Sequence, residues 1–141
     1  MTTRRKREPT HLIWVGARPK SAQGKGKSRY IELIKGAAQE VIKEPLKNYG
    51  IKVEICYPTD GTIRQDVDNV IKPILDALIG IAYIDDSQIM SVKVTAVPGP
   101  GPKFGAIEFE SSKDLAYKIQ KRGGKYFAIA IYDRKRHVLS P

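Results

Sequence analysis

Apolar and polar residues alternate with a period of two in three stretches of the chain, which is the pattern of β-strands. Residues 51–57 alternate strictly, and residues 88–97 and 126–132 do so almost as regularly. A short β-branched run at 12–15 predicts a further strand, and residues 106–110 are a weaker candidate. The sequence therefore predicts a sheet of four or five strands.

Two longer stretches have the spacing of amphipathic helices. Apolar residues recur at intervals of three and four between residues 30 and 42, and again between residues 67 and 78. Pro73 within the second stretch predicts a kink or a late start, and Gly80 predicts its end. Residues 112–122 are a candidate for a third, short helix.

These elements predict a single α+β domain over residues 11–141, with a mixed sheet of four to five strands. We expect two or three helices on one face, since so few helices cannot cover both. Residues 1–10 lack apolar periodicity and are expected to be a disordered basic arm. No apolar run approaches the roughly 18–20 residues that span a bilayer, so we expect a soluble, cytoplasmic protein without a membrane partner.

The formal net charge of +10 is distributed unevenly. Residues 1–30 contain nine Lys or Arg and one Glu, and residues 113–141 contain eight basic and two acidic residues. Residues 31–112 contain eight basic and twelve acidic residues. The basic ends suit a nucleic-acid partner because Lys and Arg neutralise phosphates, whereas the acidic centre needs a separate explanation.

Four aspartates stand where they can approach one another around the second predicted helix. Asp66 and Asp68 lie at its start, and Asp85 and Asp86 precede the next strand. The helix is about 16–17 Å long from Asp68, and the linker after it reaches at most about 23–25 Å, so Asp86 can return to the helix start. Clustered carboxylates repel unless a cation neutralises them, and oxygen ligands select Mg²⁺ or Mn²⁺. Lys72, one turn from Asp68, can stabilise charge on a phosphate.

Each of these residues also has a simpler interpretation. An Asp at a helix start is most often an N-cap, and an Asp pair before a strand is usually an exposed turn. Lys72 can form surface ion pairs with Asp68 and Asp76, worth only a few tenths of a kcal/mol. The combination at this spacing, more than any one residue, points to a metal site.

The ordered motif around these aspartates resembles the RusA family of Holliday junction resolvases. The resemblance runs from about Arg64 to Val97, with a looser extension to the basic loop around Gly16 to Lys20. The residues that carry it are Asp66-x-Asp68-Asn69-x-x-Lys72, Leu75-Asp76-Ala77-Leu78 and Tyr83-x-Asp85-Asp86-x-x-Ile89.

The resemblance implies a homodimeric, Mg²⁺-dependent endonuclease that nicks two strands of four-way junction DNA symmetrically, encoded by a bacterium, an archaeon or a phage. Some members have a basic residue directly before the first aspartate; here Gln65 stands there, and Arg64 precedes it. The family core corresponds to about residues 11–110, which leaves 111–141 as an additional C-terminal segment. The metal-binding aspartates of the family fall on Asp66, Asp68 and Asp86, its essential lysine on Lys72, and its supporting positions on Asn69 and Asp85.

The candidate DNA contacts are basic residues in loops. A Gly- and Lys-rich stretch between the first predicted strand and helix can follow a DNA backbone, because its many cations neutralise phosphates. The candidate DNA-binding residues are Arg18, Lys20, Lys25, Lys27, Arg29 and Arg64.

Two other classes of function remain open. Residues 21–28 are one residue short of a phosphate-binding GxxxxGK[ST] loop, which would suit a small nucleotide hydrolase. Ser21 replaces the first Gly of that motif, and the motif leaves Asp66 and Asp68 without a role, so we expect no nucleotide cofactor. A non-catalytic nucleic-acid-binding protein would use its acids as caps and surface pairs, but it has no reason to place carboxylates against phosphates.

Overall fold

The computed structural model describes residues 8–17, 27–59, 67–98, 113–122 and 126–133. These residues form four strands, three α-helices and one 3₁₀ turn. The strands are β1 (His11–Val15), β2 (Ile51–Thr59), β3 (Ile89–Pro98) and β4 (Phe127–Tyr132). The α-helices are α1 (Lys27–Val41), α2 (Val67–Ala77) and α3 (Lys113–Lys121), and the 3₁₀ turn is Asp86–Gln88.

The four strands form one mixed sheet in the order β1-β4-β2-β3. β2 and β3 are parallel, whereas β4 pairs antiparallel with both β1 and β2. β1, β2 and β3 therefore run in one direction. We call the end of the sheet where these three strands finish the carboxyl end, and the opposite end the amino end. The predicted α+β class, with a mixed four-stranded sheet in a single domain, is confirmed.

Alternate residues of β4 pack against helices on opposite faces of the sheet. Ile129 packs with Ile34 of α1 and Ile74 of α2. Ala128, which points to the other face, packs with Ile119 of α3. The prediction that the helices share one face is right for α1 and α2 and wrong for α3. A helix of nine residues suffices there because the strand side chains under it are small, including two alanines of β4.

The face of β2 under α3 is buried, although the alternation of residues 51–57 predicted an exposed one. Glu54 is 3% exposed and Cys56 is 0% exposed. The hydroxyl of Tyr132 in β4 donates a hydrogen bond of 3.2 Å to Oε1 of Glu54. This partner offsets part of the cost of removing a carboxylate from water. β2 is therefore a central strand with both faces covered.

The ends of α2 determine where the chain goes next. The helix runs through Pro73 without interruption from Val67 to Ala77, so the proline does not delay its start. Proline has no N–H, and the carbonyl of Asn69 consequently has no partner four residues on. Gly80 adopts φ +85°, a left-handed conformation that reverses the chain after the helix. The reversal directs the chain back along α2 toward β3.

The C-terminal segment contributes a central strand, because β4 lies between β1 and β2. Residues 1–7 of the predicted basic arm at 1–10, residues 18–26 of the predicted basic loop at 18–29, and the weaker strand candidate at 106–110 lie outside the described residues. Within the part of the chain that the structure describes, no helix is both long and apolar enough to cross a membrane.

Candidate functional site

α2 begins at the carboxyl end of the sheet, because it follows β2 along the chain. Asp68 and Asn69 belong to its first turn. Arg64 and Asp66 precede the helix and lie outside the described residues. The N-terminus of a helix carries a partial positive charge that favours nearby carboxylates and phosphates. The start of α2 therefore suits a site where acidic residues and a phosphate meet.

Lys72 and Asp76 lie on the exposed face of α2. Both side chains are exposed, whereas Ile74 and Leu78 are fully buried. Residues four apart in a helix share a face, so Lys72 and Asp76 are neighbours along it. The lysine is accessible to a macromolecular substrate from the solvent side of the helix.

Asp85 forms the cap of the short 3₁₀ turn that begins at Asp86. Its carboxylate accepts hydrogen bonds from Oγ of Ser87 at 2.6 Å and from the Ser87 amide at 3.3 Å. These hydrogen bonds, the side-chain one first, lower the pKa of the Asp85 carboxyl from its ordinary value. The carboxylate of Asp85 therefore stabilises the turn, and the neighbouring Asp86 is exposed.

Gln88 is a positioning residue that the sequence analysis missed. Its Oε1 accepts hydrogen bonds from the amides of Ile84 at 2.8 Å and Asp85 at 2.9 Å. Its Nε2 donates to the carbonyls of Leu46 at 2.8 Å and Asn48 at 3.0 Å. These four bonds use both amide hydrogens and both lone pairs of the oxygen. Gln88 thus fastens the aspartate-bearing turn to the segment that follows α1.

Tyr83 is a second positioning residue that was not anticipated. Its hydroxyl donates to the carbonyl of Leu75 at 2.5 Å, and its ring is fully buried. Burial raises the pKa of Tyr83 well above its ordinary value, and the nearby carboxylates of Asp76 and Asp86 raise it further. Asp86 therefore lies within electrostatic range of the same phenol as Asp76, beside the C-terminal half of α2.

The structure places Asp86 near Tyr83, beside the C-terminal half of α2. Asp86 directly precedes β3, whose first residue pairs with Ile51 at the amino end of the sheet. Asp68 begins α2 at the opposite end, eight residues before Asp76 and thus about 12 Å away along the helix axis. Whether Asp86 meets Asp66 and Asp68 therefore stays a prediction, because Asp66 and the side chain of Asp68 lie outside the described residues. The hydrogen bond of Tyr83 to the carbonyl of Leu75 holds the segment before Asp86 beside the C-terminal half of α2.

Only part of the predicted metal-ligand set can be located. No group of three or more His, Cys, Asp or Glu side chains among the described residues is arranged to hold a metal ion. Asp66 and the side chains of Asp68 and Asn69 lie outside that description. The candidate ligands Asp66, Asp68 and Asp86 offer oxygen atoms alone, which is the donor chemistry of Mg²⁺ and Mn²⁺.

The predicted basic loop leaves the sheet at the same end at which α2 begins. β1 ends at Val15, at the carboxyl end, and α1 starts at Lys27. Arg29 is exposed near the start of α1. The other candidate DNA contacts, which lie outside the described residues, are Arg18, Lys20, Lys25 and Arg64.

These positions define a class of protein: a single α+β domain with a mixed sheet, in which one helix begins with Asp68 and Asn69 in its first turn and carries the exposed Lys72. A comparison with protein-family models matches residues 15–106 to endodeoxyribonuclease RusA. The match covers more than half of the chain and the whole aspartate motif, so the chain belongs to the RusA family of Holliday junction resolvases. A search of curated proteins finds no match. The family expected from the motif is confirmed, and its enzymes are endodeoxyribonucleases.

Proposed function

We propose that the protein is a Mg²⁺-dependent, structure-selective endonuclease that resolves four-way DNA junctions by paired nicks in recombination and repair. We further propose that it acts as a homodimer in the cytoplasm. The observation that carries the proposal is the RusA family match, which spans the aspartates and the lysine of the motif. The exposure of Lys72 on α2 supports it.

Asp66, Asp68 and Asp86 are the proposed ligands of the cation, with Mn²⁺ as a possible substitute for Mg²⁺. Such a cation activates water and stabilises the leaving oxygen in phosphodiester hydrolysis. Lys72, exposed on α2, neutralises charge that develops on the scissile phosphate. Asp85 shapes the turn that presents Asp86.

The start of α2 and the basic loop orient the substrate backbone. The start of α2 lies at the carboxyl end of the sheet, where β1 also ends before the basic residues of the loop, and both a helix N-terminus and basic residues attract phosphates. Asp66 and Asp68 repel phosphates at the same place unless a cation is present. Binding through the basic groups and cleavage through the acidic groups should therefore separate when the metal is removed.

The primary test compares a labelled four-way junction with a matched duplex, in Mg²⁺ and in chelator. We expect paired nicks on the junction only with Mg²⁺, and binding in both conditions. Asp68→Asn and Lys72→Gln should abolish nicking and keep binding. Asp76→Asn is the matched control, because Asp76 is exposed one turn beyond Lys72 and has no assigned role. Normal cleavage by Asp68→Asn, or no cleavage by the wild type, would disprove the proposal.

Asp86 requires its own test because it lies at the other end of α2 from Asp68. Asp86→Asn should abolish nicking, whereas Ser87→Ala, which alters only the neighbouring cap, should retain it. A homodimer with two-fold symmetry provides two sites for two nicks. Single nicks from a mixture of inactive Asp68→Asn and Asp86→Asn chains would show that the two carboxylates of one site come from different chains. If the mixture produces no nicks, both carboxylates of a site come from the same chain.

The non-catalytic alternative makes a different prediction in the same experiment. A nucleic-acid-binding protein without catalysis would bind the junction with or without metal and produce no nicks under any condition. The exposed state of Lys72 and Asp76 is compatible with simple surface pairing, so the cleavage assay decides between the two functions.

A further inference from the structure

Arg122, directly after α3, lies over two aromatic rings. Its guanidinium carbon lies 4.2 Å from the ring centroid of Trp14 and 5.1 Å from that of Tyr126. Trp14 belongs to β1, and Tyr126 directly precedes β4, so the strands position both rings. Stacking covers the faces of a guanidinium and leaves its N–H donors directed outward in its plane. Arg122 remains exposed, so these donors are accessible to a ligand.

Two lysines extend this cationic surface along the last turn of α3. Nζ of Lys121 lies 4.7 Å from the ring centroid of Tyr117, which is 53% exposed. Lys118 is exposed one turn before Arg122. We call the surface formed by these residues the α3 ledge. Its members are Trp14, Tyr117, Lys118, Lys121, Arg122 and Tyr126.

A structural role accounts for part of the ledge. Basic residues in the last turn of a helix stabilise its dipole, and each contributes about 0.3–1 kcal/mol. That role needs one or two cations, whereas the ledge has three. Their combined charge exceeds the half negative charge of the helix end, so the surface attracts anions.

The location of the ledge relates it to the proposed substrate. Trp14 and Tyr126 lie at the carboxyl end of the sheet, since Val15 pairs with Phe127 there. α2 and the basic loop begin at the same end, but α2 packs on the opposite face. The ledge is thus separated from the start of α2 by the thickness of the sheet. An extended polyanion can reach both surfaces around this end.

We propose that the α3 ledge binds the phosphate backbone of a duplex arm of the DNA junction, away from the point of cleavage. The proposal rests on the proposed nuclease function and adds a contact outside residues 15–106, which are the residues matched to the family. Arg122 donates its in-plane N–H groups to phosphate oxygens, and Lys118 and Lys121 add charge. The aromatic rings hold the guanidinium in place and lower the entropy lost on binding.

The test measures junction binding in chelator over a range of salt concentrations. A triple variant, Lys118→Gln, Lys121→Gln and Arg122→Gln, should reduce the slope of log affinity against log salt by about 2 to 3, because each phosphate contact contributes about 0.9. A control that replaces Lys43, Lys47 and Lys52 by Gln removes the same charge from exposed positions nearer the amino end. Equal losses in both triple variants, or no loss in the ledge variant, would overturn the proposal.

Two further readouts keep the test specific. Junctions with arms shortened to the crossover should bind the wild type more weakly than long-armed junctions, and the ledge variant should lose this difference. Trp14 is the single tryptophan, so its emission should change when DNA binds, and Arg122→Gln should abolish the change. Arg122→Lys keeps the charge and should retain most of the salt slope. An unchanged emission on binding of long-armed DNA would contradict contact at Arg122.

The outcomes separate this proposal from the nuclease function. If the ledge variant binds DNA as the control variant does and still nicks the junction with metal, the ledge proposal is refuted and the nuclease function stands. If the wild type never nicks but its DNA binding depends on the ledge, the nuclease function is refuted and the DNA contact at α3 stands. Far-UV circular dichroism of each variant shows whether the loss of binding comes from unfolding.

Discussion

Replacing Gln88 by Leu tests whether one buried amide holds the Asp85–Asp86 turn in place. The substitution nearly preserves side-chain volume and removes four hydrogen bonds, two to amides and two to carbonyls. A net value of about 0.5–1.5 kcal/mol per bond gives a range of about 2–6 kcal/mol. Asn48 is exposed and Leu46 half-buried, so water replaces part of the loss. We therefore expect a fall of about 3 kcal/mol in the free energy of unfolding.

Urea unfolding at pH 7, followed by circular dichroism, measures this loss. Asn48→Ala is the matched control, because it keeps the backbone carbonyl that Gln88 binds. It removes only exposed side-chain bonds of 3.3 Å to Asp133, so a change within about 0.5 kcal/mol is expected. Hydrogen exchange should show faster exchange of the Ile84 and Asp85 amides in the leucine variant. A loss below about 1 kcal/mol with unchanged exchange would refute the positioning role.

Three further predictions test the packing around the site. Tyr83→Phe removes the bond to the carbonyl of Leu75 and should cost about 1–2 kcal/mol in urea unfolding; an unchanged midpoint would contradict its role. Ile119→Ala in α3 should cost about 2–5 kcal/mol, because the side chain is fully buried, whereas Leu33→Ala, 43% exposed, serves as the mild control. The lowered pKa of Asp85 means that its cap stabilises the fold above the ordinary value of 3.8 and loses this effect as the pH falls through the folded-state pKa. Between pH 6 and about pH 3, the free energy of unfolding should therefore change less with pH in Asp85→Ala than in the wild type. Parallel curves of this free energy against pH for the two proteins would contradict the capping role.

The sequence predicted the elements well because their periods are local properties. The alternation at 51–57 and the helical spacing at 67–78 depend only on neighbours along the chain. Strand order and the side on which a helix packs depend on contacts between distant residues. The alternation of β4 indicated Phe127 and Ile129 as core residues, but it did not reveal that α3 would cover Ala128. Only the structure therefore shows that α3 covers the second face of the sheet.

The geometry of the candidate site also depends on contacts that the local sequence pattern does not reveal. Chain length sets only the greatest distance that Asp86 can travel back along α2, whereas the hydrogen bond of Tyr83 to Leu75 fixes where the segment before Asp86 packs on the helix. A local signal for the other positioning residue was present. Asp85 and Gln88 form an Asp-x-x-Gln capping box, which was recognisable in the sequence and predicts a tight turn with a fixed glutamine.

The central position of β4 has a consequence for how the protein reaches its folded state. β4 lies between β1 and β2, yet it is synthesised after the other three strands and lies beyond the residues matched to the family. Until it is present, β1 has no neighbour among the described strands, and one side of β2 exposes unpaired backbone groups that attract other chains. Pairing across more than a hundred residues also slows folding. A fragment ending at the family boundary would thus lack the strand that joins β1 to the rest of the sheet, and we expect it to aggregate.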